Sequence, residues 1–381
     1  MYHISSKAKV MTLDALFINI QSHIDNKLPF VAYNLPGSDY VKAFFQNDNT
    51  NHKFVDFDES GFIMSSYDQK SNVFFPYNQS DYFEIAIDFN DLNASFGSNQ
   101  LQWNSDGQFF KDMVSSALDT ISNSSLEKVV LSCPRVIPVT NDVDLKSLFI
   151  RLLKGHQSAM VYVCFHPDYG IWMGASPETL LELEANRFST MSLAGTQKEK
   201  LDVKPKWTTK EIKEQSIVTD YIGSQLNNLA SALNIYPVQN VKAGNLWHLK
   251  TKITGILNSG SSLKDLIKAL HPTPAVCGFP SDIANDYIET NETYDRKFYT
   301  GFFGEVNMKS ISARNPNRKN IENNAYNRFL NKTTLFVNLR CMEITSKTYS
   351  IFVGAGITKD SNPNNEWKEL QNKSETLSSI L

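Results

Sequence analysis

Near the C-terminus of this 381-residue chain stands the stretch "GAGITKDSNPNNEWKELQNKSETL". With "NPNNEWKELQNKSETL" as a helix, Glu366, Glu369 and Lys373 fall at i, i+3 and i+7. Two carboxylates and an ammonium then share a face with Leu370 and Leu377 beside them. Charges turned toward an interior need an opposite charge, a metal ion or a change of protonation. Glu214 poses the same problem on another helix, where it stands in register with Val218, Ile222 and Leu226 at steps of four. The plain reading of Glu214 alone is an ion pair with a lysine. Taken with Glu369 it forms an oxygen-only donor pair that suits Mg²⁺, with water and a ligand carboxylate filling other positions.

Four further places could carry chemistry. Glu178 in "GASPETLL" follows a proline at a strand end, where the backbone is fixed and the side chain can be aimed, as a general acid requires; an exposed glutamate opening a hairpin is the ordinary alternative. Lys128 opens the strand "KVVLS", whose alternation puts Lys128, Val130 and Ser132 on one side. A lysine there is usually solvated and becomes a base only when desolvation or nearby cations favour its neutral form. "GAG" at 354–356 follows an apolar strand and lets backbone N–H groups approach an anion closely, without the spacing of a nucleotide fingerprint. Arg340 interrupts the apolar run "LFVNLRCMEI" and suits either a core Arg–Glu pair or bidentate binding of a carboxylate. His248 and His271 have no metal-ligand spacing, and "HPTP" reads as a rigid turn.

The elements that must position these groups point to an α+β fold of large, mostly antiparallel sheets flanked by helices, because strands come in runs rather than in βαβ alternation. Residues 1–100 hold short strand-like runs ("PFVAYNLPG", "HKFVDFD", "GFIMSS", "YFEIAIDF") and a polar loop, "NDLNASFGSNQ". Longer elements follow through 101–381, which reads as one continuous region. They include helices through "DGQFFKDMVSSALDTIS", "DLKSLFIRLLKG", about 208–233 and "SLKDLIKAL". The strands are "KVVLSCPRVIPV", "AMVYVCFH", "GIWMGAS", "LWHLKTKITGIL", "FYTGFFGEV", "TTLFVNLRCMEI" and "TYSIFVGAGI", with a hairpin in "TLLELEANRFSTMSLAGT".

Composition is that of an ordinary globular protein, with 41% hydrophobic and 20% charged residues. Net charge −3 and a pI near 6.2 make nucleic acid and anionic membranes poor partners, so any anionic ligand must be met by local cations. Cys133, Cys164, Cys277 and Cys341 form no CxxC pair and suit a reducing cytoplasm. Neither a secretory signal nor a run of about 18 apolar residues is seen, so a cytoplasmic protein with no membrane span is expected.

The segments "KVVLS", "GASPETLL", "SLAGT", "KEIKEQSIVTDYI", "LWHLKTKITG", "HPTPAVCGFP", "FYTGFFGEV", "LFVNLRCMEI" and "VGAGITKDSNPNNEWKELQNKS" occur in the order found in the chorismate-utilising enzymes. From Lys128 to Lys373 the chain resembles the isochorismate synthase branch of that family, whose fold is that of aminodeoxychorismate synthase. The resemblance implies Lys128 as the base that activates water, Glu178 as the acid for the leaving hydroxyl, and Mg²⁺ held by Glu214 and Glu369 with Glu366 behind them. It implies that substrate is met by Ala194, Gly195, Thr196, His248, Tyr299, Arg340, Lys373 and the backbone of Gly354, Ala355 and Gly356. Chorismate is the implied substrate, in menaquinone or siderophore biosynthesis, for a monomer that needs no glutaminase subunit. Lysine at 128 separates the chain from the anthranilate synthases, which typically have glutamine there, but not from salicylate synthases. Relatives often carry arginine at Cys133 and Gln197, histidine at Gln215 and threonine at Leu370.

Overall fold

The computed structural model describes residues 11–94, 103, 105–199, 204–244, 246–312 and 328–381. Two nine-stranded sheets face each other, and every strand pairing between the described residues is antiparallel. In the first sheet the order is β14 (Gly278–Phe279), β6 (Lys128–Pro138), β18 (Thr348–Thr358), β17 (Cys341–Ile344), β8 (Gly170–Ser176), β7 (Met160–His166), β1 (Phe30–Asn34), β2 (Tyr40–Gln46) and β5 (Ser80–Ala86). The second runs β11 (Ala230–Ile235), β13 (Leu246–Leu257), β10 (Arg187–Lys198), β9 (Thr179–Glu184), β16 (Arg328–Val337), β15 (Phe302–Ser312), β3 (Gly61–Ser65) and β4 (Asn72–Pro76), with β12 (Gln239–Ala243) also on β13.

Alternate residues of each strand go to different layers, as a period of two requires. Val31, Tyr33, Phe44, Tyr162 and Trp172 of the first sheet meet Phe62, Phe75, Phe303 and Phe336 of the second in an aromatic-rich core between them. The other face of the first sheet (Phe30, Ala32, Val129, Leu131, Val161) is covered by helices α1 (Leu13–Asp25), α2 (Gln108–Asn123), α3 (Leu145–Gly155), α6 (Ser281–Asn291) and α7 (Pro363–Ser378). Helices α4 (Thr209–Leu226) and α5 (Leu263–Leu270) cover the second sheet through Val218, Ile222, Leu266 and Ile267. Strands buried on both faces explain why the hydrophobic runs are continuous rather than alternating. The sequence expectation of an α+β fold with antiparallel sheets holds, and the N-terminal strands are shared between both sheets. No described helix is long and apolar enough to cross a membrane.

Several local expectations change. The helix expected over about 208–233 ends at Leu226, the last residue of its apolar stripe, because 230–235 pairs with the edge of β13 instead; tertiary pairing overrides the helical composition of "LASAL". "HKFVDFD" makes a single bridge, His52 to Phe74, rather than a strand. "FYTGFFGEV" is extended only from Phe302. Arg340 lies outside the strands, at φ 48° between β16 and β17, so the run "LFVNLRCMEI" is two strands and a kink. Helices α1 and α6 were not expected at all. The loop "NDLNASFGSNQ" falls in part outside the described residues.

A buried polar cluster crosses the aromatic core. Glu305 of β15 accepts from Tyr33 Oη at 2.6 Å and Lys42 Nζ at 2.7 Å, both from the first sheet. Burial opposes ionisation of Glu305, but the Lys42 charge and the two hydrogen bonds outweigh it and hold the carboxyl below its usual range. Replacing Glu305 by Ala strands the buried ammonium, so a loss of about 3–5 kcal/mol in urea unfolding is expected. The double variant Lys42→Met with Glu305→Leu should recover most of it.

Candidate active site

Strands β6, β10, β13 and β18 and helices α4 and α7 converge on a solvent-open cleft. Its wall takes Glu178 from the start of β9, Ala194, Gly195 and Thr196 from β10, Glu214 from α4 and His248 from β13. Tyr299, Arg340, Gly354, Gly356, Glu369 and Lys373 complete the polar part. The structure thus gathers nearly every residue singled out from sequence. Along β18 the Ala355 side chain turns into the core beneath the helices, while Gly354 and Gly356 face the cleft. Lys128 and Glu366 stand behind the wall rather than on it. Pro177, Leu193, Ala275, Val276, Thr300 and Phe352 also line the cleft and were missed. Of these, Ala275 and Val276 had a signal, as apolar residues in a proline-bounded turn.

The two glycines of β18 make room for the charges. A Cβ on Gly356 would stand 2.1 Å from Glu214 Oε1 and 3.0 Å from Lys128 Cε, and one on Gly354 would stand 2.8 Å from Tyr299 Oη. Opposite them, β10 and β13 lose register between Ala194 and Gln197, and Gly195 adopts φ 70°, a left-handed geometry suited to glycine. That bulge aims the Gly195 carbonyl at His248 Nδ1, 2.9 Å away. The geometry assigns the proton to Nδ1 and leaves Nε2 facing Arg340 Nη2 at 3.4 Å. Burial, then the Arg340 charge, pushes His248 down to about 3, so the ring is neutral at physiological pH.

Glu178 is 4% exposed, and burial raises its carboxyl to about 8 although Lys128, Lys373 and Arg340 all pull it down. It is therefore protonated at neutral pH, the state of a proton donor. Arg340 donates to Thr376 Oγ1 at 3.0 Å; burial lowers it to about 10, and it stays charged. Lys373 donates to the Gly354 carbonyl at 2.8 Å and pairs with Glu369 at 2.7 Å.

Lys128 is fully buried, 3.1 Å from Glu214 Oε1, with no hydrogen-bond partner for Nζ among the described residues. The contact is close enough for Coulomb attraction but lacks hydrogen-bond direction, so the lysine has unused donors. Glu366 pairs with Lys210 at 2.5 Å; burial and the negative charge of Glu369 push Glu366 up to about 7 while Lys210 pulls it down. At Glu369 burial is outweighed by Lys373 and Lys210, and the carboxyl lies below its usual range. Gln215, Leu370 and Gln197 are held by contacts within the fold. Gln215 is buried and reaches the hydroxyls of Ser192, Thr219 and Thr251 at 2.8–3.1 Å. Leu370 is core, and Gln197 donates to the Lys206 carbonyl.

The donor chemistry fits a hard cation. Glu214 and Glu369 both present carboxylate oxygens to one cleft; among the described residues no group of three or more acidic, His or Cys side chains is poised as a complete cage. Two protein carboxylates leave positions for water and a ligand carboxylate, which is the habit of Mg²⁺.

A family model for chorismate-binding enzymes matches residues 86–312, and a second of the same description matches 326–379. The chain belongs to the chorismate-binding enzyme family. Within the family it is 29% identical over 283 residues to isochorismate synthase EntC of Escherichia coli K12, and 26% identical over 298 residues to isochorismate synthase MenF of Haemophilus influenzae. These alignments take in 71% and 76% of this chain and 66% and 63% of the relatives' own length. The fold is also that of the menaquinone-specific isochorismate synthase MenF of Escherichia coli, at TM-score 0.73 and 19% identity over 93% of this chain and 88% of that one. Anthranilate synthase component I of Streptococcus pneumoniae superposes at TM-score 0.62 and 16% identity, with 92% of each chain covered.

The raised Glu178 carboxyl makes a stability prediction. Its folded pKa lies above the unfolded value near 4.5, so the folded protein loses stability relative to the unfolded chain as pH rises from about 4.5 to about 8. Glu178→Gln removes that loss. The variant is expected to match the wild type near pH 4 and to exceed it by a few kcal/mol at pH 8, at about 1.4 kcal/mol per pH unit, in denaturant unfolding across pH.

Proposed function

We propose that the protein is an isochorismate synthase that converts chorismate reversibly to isochorismate with Mg²⁺. The observation that carries this reading is a cleft that brings the buried carboxyl of Glu178 together with two cation-suited glutamates and the cations Arg340 and Lys373, with the buried Lys128 behind its wall. The named relatives are isochorismate synthases, which supports the same choice.

In this reading Lys128 takes a proton from a water that attacks C2 of chorismate, the ring double bond shifts, and the C4–O bond breaks as Glu178 protonates the departing hydroxyl. One water enters and one leaves, so the reaction is an isomerisation. Lys128 must first lose its ammonium proton to solvent and be released from Glu214, so that it meets that water as a free amine. Arg340, Lys373 and the backbone around Gly354 hold the substrate carboxylates, and neutral His248 orients Arg340 without adding charge. Glu214 and Glu369 would hold magnesium, which would supply positive charge beside a substrate carboxylate.

Proton NMR of chorismate incubated with the protein and Mg²⁺, with and without ammonium, tests the reading. Isochorismate alone, lost on chelation, is expected; salicylate with pyruvate, or an aminated product, assigns a sister activity instead. Lys128→Ala and Glu178→Gln should each lower turnover by about 10²- to 10⁴-fold with circular dichroism unchanged. Near-normal turnover in either variant overturns the acid–base assignment.

A further inference from the structure

Lys210 is a largely buried cation that the proposed reaction does not use. It stands one helical turn before Glu214 on α4, and its Nζ donates to Glu366 Oε1 at 2.5 Å. The lysine side chain is 20% exposed and the glutamate 2%, and neither residue lines the cleft. Glu366 lies in the first turn of α7, three residues before Glu369. The pair therefore bridges the two helices that each carry one of the cation-suited carboxylates.

The charges around Lys210 are one-sided. Burial disfavours its ammonium, but Glu366, Glu369 and Glu214 together outweigh that and hold the proton firmly. Lys128 and Lys373 each contact one of these carboxylates, at Glu214 and Glu369. Glu366 has no such partner on the cleft, and Lys210 is the lysine that contacts it. Removing Lys210 would leave Glu366 buried beside Glu369 with like charges facing each other.

We infer that Lys210 is a resident counter-charge that keeps the three carboxylates and their two helices together when no divalent cation is bound. This inference rests on the proposed cation site. It makes Lys210 a positioning residue, and it differs from an ordinary helix–helix ion pair in one measurable way. An ordinary pair contributes equally with and without cation. A resident counter-charge matters most in the cation-free protein, because a bound cation draws off the charge of Glu214 and Glu369 and relieves the repulsion on Glu366.

The test compares thermal midpoints of wild type, Lys210→Met and Lys210→Arg, each in excess chelator and in saturating MgCl₂. The expected result is a larger upward shift with magnesium in Lys210→Met than in wild type, by roughly 2 °C or more, with Lys210→Arg close to wild type. An equal fall of the Lys210→Met midpoint in both conditions makes Lys210 a simple staple and overturns the inference alone. No magnesium shift in wild type overturns the cation site and the inference with it. If Lys210→Met does not fold without cation, purification in magnesium followed by chelation reads the same difference.

Discussion

The cleft depends on electrostatic compensation at close quarters. Glu178, Glu214, Glu366 and Glu369 are buried or nearly so within one region, and a carboxylate taken from water is costly unless a cation or a proton attends it. The protein uses both solutions. Lys128, Lys373 and Lys210 each contact one carboxylate, while Glu178, with cations near but none touching it closely, keeps its proton. The same physics that lets the charges be buried thus sorts them into paired anions and a neutral acid.

That sorting needs backbone geometry that leaves space. Glycines at 354 and 356 remove the atoms that would collide with Tyr299 and Glu214, and the bulge at Gly195 aims a carbonyl at His248. Arg340 reaches the cleft from a left-handed kink between two strands rather than from a strand. Around these irregular points the sheets are regular and the aromatic core between them is dense, so the rigid part of the fold holds the irregular part in place. Trp367, next to Glu366, packs on Gly107, Trp103 and Phe110 and fixes α7 to α2.

Much of this was legible in order along the chain. The stripe Glu214, Val218, Ile222 and Leu226 and the face Glu366, Glu369 and Lys373 follow from helical spacing, and both fall where the structure puts them. Extending the first stripe backward by four reaches Lys210, so even that residue was within reach of periodicity. Less legible were element ends. The segment 230–235 has helical composition and forms an edge strand, because its backbone pairs with β13 instead.

By itself the sequence determined the α+β class, the antiparallel runs, the candidate charged residues and the family to which their order belongs. Local periodicity and side-chain chemistry are enough for the class and the charged residues, since they depend on neighbours a few positions apart, while the family came from the resemblance of its ordered motifs. Only the tertiary structure decided which charges meet. Lys128 and Glu214 are 3.1 Å apart, and Lys210 and Glu366 lie 156 positions apart in sequence yet touch. It also decided that Glu178 is protonated while Glu369 is ionised, because protonation answers to burial and to charges brought close by folding, neither of which is written in the order of residues.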